Sequence, residues 1–379
     1  MIGPGRVLVT GGDGFIGRHL VRALVARGDD VIVLDSHEEQ VHPGDVSRLP
    51  GRQPFMGNPV YFTGDVGHPG AVALAMEGVD RVVHLAAVVG VGQSMYQFAN
   101  YVQKNSLATA SFLEAVVAQR PRIERLIVAS SMSVYGEGAK ECRACDHPSP
   151  GPRSPERLAA GQWGVPCVSC GKDMQAMSSD ETDRLNPTSV YAITKRDQEE
   201  LCLTVGAAYD IPTLALRFFN VYGPGQSLSN PYTGAAAIFA SRLLNGKPPI
   251  VFEDGEQERD FIHVSDIVRG ILLALDATDV SERAINLGTG RPTQIRRIAH
   301  ILADVLAPDI NPVYTNEYRT GDIRHCFADT WAAETQLCFV ADTPVDIGIR
   351  ELAADIRGRT PNDTLEAHIS DLRTSGLLQ

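Results

Sequence analysis

Through the first half of the chain, short apolar runs alternate with stretches in which apolar residues recur every three to four positions. Runs centred on Arg6–Thr10, Val31–Leu34, Val60–Thr63, Arg81–Leu85 and Arg125–Ala129 are too continuously apolar for a half-exposed sheet and predict strands covered on both faces. Between them, Phe15, Ile16, Leu20 and Leu24 fall on one face of a predicted helix over Phe15–Arg27, and Leu107, Ala110, Leu113 and Val117 do the same over Tyr101–Gln119. This alternation predicts βαβ units, and so an α/β fold built on a doubly wound parallel sheet. A long helix is expected over Thr188–Tyr209, then a strand over Thr213–Phe218. Past residue 220 the pattern changes to short strands (Ile250–Phe252, Phe261–Val264) and helices (Ala235–Asn245, Asp266–Leu275, Gln294–Leu306). The expected division is a sheet domain over 1–220 and a smaller α/β part over 221–379, with segments returning to the first sheet. Residues 137–183 break the pattern: they are rich in Pro, Gly, Cys and Ser and longer than an ordinary connection, and so read as an insertion.

Composition narrows the classes. The 379 residues are 44% hydrophobic and 21% charged, which suits a globular chain with a sizeable core. A net charge of −12 with no basic block argues against a sequence-independent grip on nucleic acid, although single arginines can still hold a diphosphate. No apolar window is long enough to span a membrane, and the first residues lack the apolar core of a signal peptide, so the expected location is cytoplasmic. Seven cysteines make an odd count, and four of them form two Cys-x-x-Cys pairs, a pattern that favours metal over disulfides in a reducing compartment.

The run Thr10-Gly11-Gly12-Asp13-Gly14-Phe15-Ile16-Gly17 leaves a predicted strand and opens a predicted helix. In that context Gly11 permits a tight turn, Gly14 lets backbone N–H groups approach a pyrophosphate, and Gly17 allows close packing of helix on strand. Asp35, at the end of the second strand, can accept the adenosine ribose hydroxyls and would repel a 2′-phosphate, which favours NAD over NADP. Asp65 and Val66 suit the adenine edge. A glycine turn of purely structural meaning is the competing reading. No Gly-Lys-Ser/Thr is present, so a P-loop is not supported.

Tyr191 and Lys195 are four residues apart on a predicted helix, so they share a face. A neighbouring ammonium and a positive nicotinamide would both lower the phenol pKa and fit Tyr191 to act as a general base; the competing reading is a surface pair. Ser131, in Ala129-Ser130-Ser131-Met132-Ser133-Val134-Tyr135-Gly136, follows the fifth strand and so sits at the carboxyl end of the sheet, where such folds bind ligands. It could share a substrate hydroxyl with Tyr191.

With these motifs the chain resembles the extended short-chain dehydrogenase/reductases of the NAD-dependent nucleotide-sugar epimerase/dehydratase family. The series continues through His84-Leu85-Ala86-Ala87, Leu216-Arg217-Phe218-Phe219-Asn220-Val221-Tyr222-Gly223, Arg259-Asp260-Phe261-Ile262-His263-Val264 and Asn286-Leu287-Gly288-Thr289-Gly290. The resemblance implies NAD held by Gly11, Gly14, Phe15, Ile16, Gly17, Asp35, Asp65, Val66, Leu85, Ala86, Ala87, Tyr191 and Lys195. It implies catalysis by Ser131, Tyr191 and Lys195, and a nucleotide-diphosphate sugar held by Ser94, Ser133, Asn220, Arg259 and Arg324, the last two as guanidinium forks on the diphosphate. The competing reading of either arginine is a surface salt bridge. A homodimer through the helices Tyr101–Gln119 and Thr188–Tyr209 is also implied, though their apolar stripes could equally be core.

Sugar 4,6-dehydratases of this kind carry Asp-Glu directly after the catalytic residue; here Met132 and Ser133 stand there. Without that acid and base, the expected reaction is 4-epimerisation of a dTDP- or UDP-hexose through a 4-keto sugar. The insertion and the Tyr191 helix are similar to dTDP-L-rhamnose 4-epimerase-like sequences, with UDP-sugar 4-epimerases as competitors. A 4-ketoreductase and a non-catalytic NAD-binding scaffold or sensor are the alternatives. In the insertion, Cys142, Cys145, Cys167 and Cys170 have the spacing of two knuckles around a structural, zinc-ribbon-like Zn²⁺ site. Reduced thiols or redox pairs are the alternatives, and His147 could replace a ligand. Cys202, Cys326 and Cys338 read as small buried hydrophobes.

Overall fold

The structure is a computed structural model that describes residues 3–38, 51–53, 58–119, 123–145, 150–151, 153–228, 234–277, 279–359 and 361–379. Its centre is an eight-stranded sheet made of β1 (Arg6–Thr10), β2 (Asp30–Asp35), β3 (Gly51–Gln53), β4 (Val60–Thr63), β5 (Arg81–His84), β6 (Arg125–Ser131), β7 (Thr213–Phe218) and β8 (Arg283–Leu287). The order across the sheet is β8-β7-β6-β5-β1-β2-β4-β3. Seven strands run parallel, and the edge strand β3 pairs antiparallel to β4. The chain starts in the middle with β1 and winds outward in both directions, which places a crevice at the carboxyl ends of β1, β5 and β6.

Aliphatic residues on both faces of each strand account for the two apolar layers. On one side Val7, Val9, Val31 and Val33 meet Leu20 and Leu24 of α1 (Phe15–Arg27); on the other Leu8, Ile32 and Val82 meet Phe112 and Val116 of α2 (Ala108–Ala118). The predicted helix over Tyr101–Gln119 is realised in pieces: an α-turn over Phe98–Tyr101, a π-helical stretch over Val102–Leu107, then α2. Asn105, inside the widened turn, donates through Nδ2 to Thr194 Oγ1 (2.9 Å) and the Val88 carbonyl (3.1 Å) and accepts from Val88 N–H (2.8 Å). Tertiary hydrogen bonds of a buried amide thus accompany the departure from regular helix, as is common near functional sites.

The long helix α3 (Val190–Ala208) is capped by Ser189, whose hydroxyl accepts from Ala192 N–H. Beyond β7 the chain builds a second layer in which strands Asn220–Tyr222, Glu258–His263 and Pro292–Gln294 pair, with the helices Ala235–Leu244, Ile295–Leu306 and Val345–Ile356 around Tyr222, Phe239, Leu302 and Leu352. β8, from the far half of the sequence, returns to the central sheet. The strand predicted over Phe261–Val264 begins earlier, at Glu258, and stops at His263 because that side chain caps the next helix. No helix among the described residues is long and apolar enough to cross a membrane. Cys202 and Cys326 are buried as expected, whereas Cys338 is exposed: it closes the helix Trp331–Leu337 in a left-handed conformation (φ 51°).

Candidate active site

The glycine turn occupies the crevice. At Gly11 (φ +68°) a Cβ would sit 2.9 Å from the Ala86 nitrogen, and at Gly17 it would sit 2.3 Å from the Gly11 carbonyl oxygen, so backbone leaves no room for a side chain at either. Gly14 is the N-cap of α1 and offers no side-chain cap, leaving the positive helix end facing the crevice. Asp35 closes β2 and accepts the N–H groups of Asp13 (3.0 Å) and His37 (2.9 Å). Asp65 accepts from Gly67 N–H (2.8 Å) and Lys104 Nζ (2.7 Å), and Lys104 also reaches Glu38 (2.6 Å). Burial works to raise the Asp65 pKa, but the hydrogen bonds from Lys104 and Gly67 hold it below the usual carboxylate value. Glu38 and Lys104 were not singled out in the sequence, since nothing local marks them.

One cleft of about 460 Å³ is lined by Gly11, Gly14, Phe15, Ile16, Gly17, Asp35, Asp65, Val66, Leu85, Ala86 and Ala87, and equally by Ser131, Ser133, Tyr191, Lys195 and Asn220. These residues fit a dinucleotide: bare backbone and a helix N-terminus for the pyrophosphate, and carboxylates at Asp35 and Glu38 that disfavour a further phosphate.

Ser131, the last residue of β6, is extended, and its Oγ accepts from both the Ser133 N–H (3.2 Å) and the Ser133 hydroxyl (3.0 Å). With its acceptor sites used, its own proton is free to point at Tyr191, whose hydroxyl it contacts. Tyr191 lies in the first turn of α3, edge-on to Tyr101 at 6.3 Å. Lys195, one turn on, donates to Gln198 Oε1 (2.6 Å); Gln198 in turn donates to Thr109 Oγ1 (2.8 Å) and the Ala86 carbonyl (3.2 Å). His84 bridges Thr10 (2.8 Å) and Thr109 (2.9 Å), and burial with the Lys195 charge pushes its pKa down to about 3, so it stays neutral.

The electrostatics correct one expectation. Burial pushes the Tyr191 phenol above its ordinary pKa and only the Ser131 hydrogen bond pulls it back; Lys195, turned to Gln198, is not what lowers it. Burial likewise brings Lys195 down to about 8. Desolvation thus exceeds the pair attraction between phenol and ammonium, which leaves the expected nicotinamide cation as the group that would make the phenol acidic.

Behind Ser131, the Ser130 hydroxyl donates to Glu199 (2.5 Å), which pairs with Arg217 (2.6 Å), both buried. This fastens the end of β6 to α3 and β7. Met132 and Ser133 put no carboxylate beside the serine. Asn220 Oδ1 is buried with no hydrogen-bond partner among the described residues, an orphan acceptor at the cleft wall. Three expected sugar-binding residues lie outside the lining. Ser94 is fully buried and donates to the Val91 carbonyl (2.7 Å). The Arg259 guanidinium donates to the carbonyls of Glu258 (2.8 Å), Ile323 (2.6 Å) and Arg324 (3.0 Å). Arg324 pairs with Asp254 (2.6 and 2.8 Å) and Glu253 (2.9 Å). The two forks thus hold protein oxygens in this structure, and the Arg324 side chain is only 7% exposed.

Residues 7–155 and 169–288 match the NAD dependent epimerase/dehydratase family. The chain belongs to that family. Across 92% of its length it is 34% identical to dTDP-L-rhamnose 4-epimerase of Burkholderia thailandensis, covering 93% of that protein. It is 30% identical to UDP-glucuronate 4-epimerase 3 of Arabidopsis thaliana, with 92% of this chain and 75% of the relative covered. Among solved structures it is similar to MoeE5 in complex with UDP-glucuronic acid and NAD, at 32% identity and a TM-score of 0.73, over 93% of this chain and 99% of that one.

The family match is interrupted between 155 and 169, inside the insertion. There the antiparallel pairs Lys140–Ala176 and Glu141–Gln175 form a stem, the bridge Pro166–Asp173 closes the second Cys-x-x-Cys turn, and the bridge Pro150–Cys167 ties that turn to the chain that follows the first. The ligand atoms of Cys142, Cys145, Cys167 and Cys170 all lie within 4.8 Å of one another, with Cys142–Cys170 at 3.6 Å and Cys145–Cys167 at 3.9 Å. A Zn–S bond of about 2.3 Å gives a tetrahedral edge of about 3.8 Å, so the donor set fits that ion. The other three thiols, Cys170 foremost, crowd Cys145 and push it up to about 12. His147 lies outside the described residues.

Proposed function

We propose that the chain is an NAD-dependent nucleotide-sugar 4-epimerase acting on a dTDP- or UDP-hexose. The observation that carries this reading is the single cleft joining the glycine turn and Asp35 to Ser131, Tyr191 and Lys195. Bound against Gly11, Gly14 and Gly17, NAD supplies a carbon that accepts a hydride and returns it. Tyr191 Oη takes the proton of the C4 hydroxyl while Ser131, oriented by Ser133, hydrogen-bonds the same oxygen. Lys195, fixed by Gln198, adds positive charge next to the developing phenolate. Lys195 is buried and Tyr191 half-buried at the cleft wall, which limits the access of water to the proton-transfer path. Asn220 presents its unpaired oxygen to the sugar side. Tyr191 then returns the proton to the ketone oxygen after the sugar has turned its other face, giving the C4 epimer. With Met132 and Ser133 in place of an acid and a base, elimination across C5 and C6 has no proton carrier.

The same reading includes a structural Zn²⁺ on Cys142, Cys145, Cys167 and Cys170, whose four thiolates leave no open position for chemistry. It includes a homodimer through the helices Tyr101–Gln119 and Thr188–Tyr209, on which Val102, Leu107 and Ile193 are exposed, and a cytoplasmic location. The test is incubation with a panel of UDP- and dTDP-hexoses, following product stereochemistry and the absorbance of reduced cofactor. Epimer formation without net cofactor change is expected. Stoichiometric consumption of reduced cofactor would replace this reading with a ketoreductase, and no turnover of any sugar with a non-catalytic NAD protein.

A further inference from the structure

The insertion is tied to the rest of the molecule at several points, among them Lys140 Nζ on the His325 carbonyl (3.0 Å) and the Ser179 backbone on Phe327 and Asp329 (2.8 Å each), and one buried side chain joins three of its neighbours at once. Arg153, between the two thiolate turns, has a side chain only 4% exposed, and its fork meets three separate acceptors. Nε donates to Glu137 Oε1 (2.8 Å), Nη1 to Glu253 Oε1 (2.7 Å) and Nη2 to the Asp322 carbonyl (2.5 Å). The second oxygen of Glu137 accepts Arg324 N–H (2.6 Å), and that of Glu253 accepts Arg324 Nη1 (2.9 Å). Glu137 follows Gly136 at the end of the turn that begins at Ser131, whereas Glu253, Asp322 and Arg324 belong to the second layer. Arg259 depends on the same segment, since its guanidinium is held by the Ile323 and Arg324 carbonyls. A planar fork suits three acceptors at fixed angles; an ammonium would not hold all three in that plane.

We propose that Arg153 is a positioning residue through which the cysteine insertion straps the serine turn to the substrate-binding layer and keeps the cleft closed on the sugar. The proposal rests on the epimerase reading, because the need it meets is retention of an oxidised sugar while it turns over. Loss of a 4-keto sugar before hydride return strands reduced cofactor on the protein: C4 has lost its hydrogen as hydride, the hydroxyl proton stays with Tyr191, and nothing returns either.

The experiment compares the full-length wild type with Arg153→Met and Arg153→Lys, each loaded with NAD and checked for zinc content. For Arg153→Met the expected result is a KM for the nucleotide sugar raised about tenfold or more with kcat changed by less than about threefold. Reduced cofactor should also accumulate with successive turnovers, while bound NAD and zinc match the wild type. Unchanged KM and no stranded cofactor overturn the strap while leaving the epimerase reading intact. Should Arg153→Met not fold, because two carboxylates lose a buried partner, Arg153→Lys keeps the charge and is expected to show the same split at smaller size; wild-type kinetics there overturn the proposal. Should the wild type turn over no sugar, the epimerase reading fails and hydrogen exchange decides the strap. Amides of 136–141 and 321–326 must then exchange faster in the variant while 164–176 stay protected, and equal rates overturn it.

Discussion

Replacing Gly17 with Ala measures how far cofactor binding depends on the contact between α1 and the turn. The new Cβ would lie 2.3 Å from the Gly11 oxygen, 2.6 Å from Gly12 Cα and 2.7 Å from the Gly12 carbonyl carbon, all of them backbone atoms. Ordinary contact begins near 3.4 Å, so the start of α1 must retreat by about 1 Å. Overpacking of this kind costs about 1–3 kcal/mol of stability. The same retreat takes an N–H away from the pyrophosphate, and a hydrogen bond to a charged group contributes about 1.5–3 kcal/mol, so NAD affinity should fall about 10- to 150-fold. Calorimetric titration of NAD into stripped protein reads this directly, with Gly3→Ala as the control because nothing lies within 4 Å of a Cβ there. A Gly17→Ala affinity within about twofold of wild type would refute the argument that this close approach builds the phosphate site.

Ser133→Ala removes one of the two hydrogen bonds that aim the Ser131 hydroxyl, so kcat should drop about 5- to 15-fold, the equivalent of about 1–1.5 kcal/mol, with NAD affinity unchanged; undiminished kcat would sever Ser133 from the site. Zinc affinity should rise with pH. Cys142 and Cys145 both have raised pKa values, the latter about 12, so both are thiols near neutrality and must release protons to bind metal. Apparent affinity, measured by competition with a chelator, should therefore fall by at least about 100-fold for each unit of acidification around neutral pH, and a pH-independent constant would exclude thiolate ligation.

Much of this was legible because it is local. The strand of β1, the helix from Phe15 to Arg27 and the glycines between them follow from side-chain period and from backbone contacts only Gly permits. Tyr191 and Lys195 share a helix face by spacing alone, and the four cysteines announced their meeting by their pairing in sequence. What spacing could not show is where each polar group finds its partner. Lys195 turns to Gln198, so the sign of the Tyr191 shift follows from desolvation, a property of the assembled core. Arg259 and Arg324 carry a family motif yet are held by carbonyl and carboxylate oxygens that lie from one to 71 residues away in the chain. Asn105 widens a helix that apolar periodicity draws as regular, through an acceptor and a donor on Val88. Arg153 lies in a segment without periodicity, where no local signal separates a buried fork from a surface charge.

The most direct test of the central claim is single-turnover analysis of Tyr191→Phe loaded with NAD and given the nucleotide sugar that the wild type epimerises. A positioned general base contributes about 10²- to 10⁴-fold, so this variant should retain NAD at the wild-type ratio and bind the sugar, yet form epimer and reduced cofactor at least about 100-fold more slowly. Epimer formation at a rate within about threefold of the wild type would show that another group carries the C4 proton and would contradict the account.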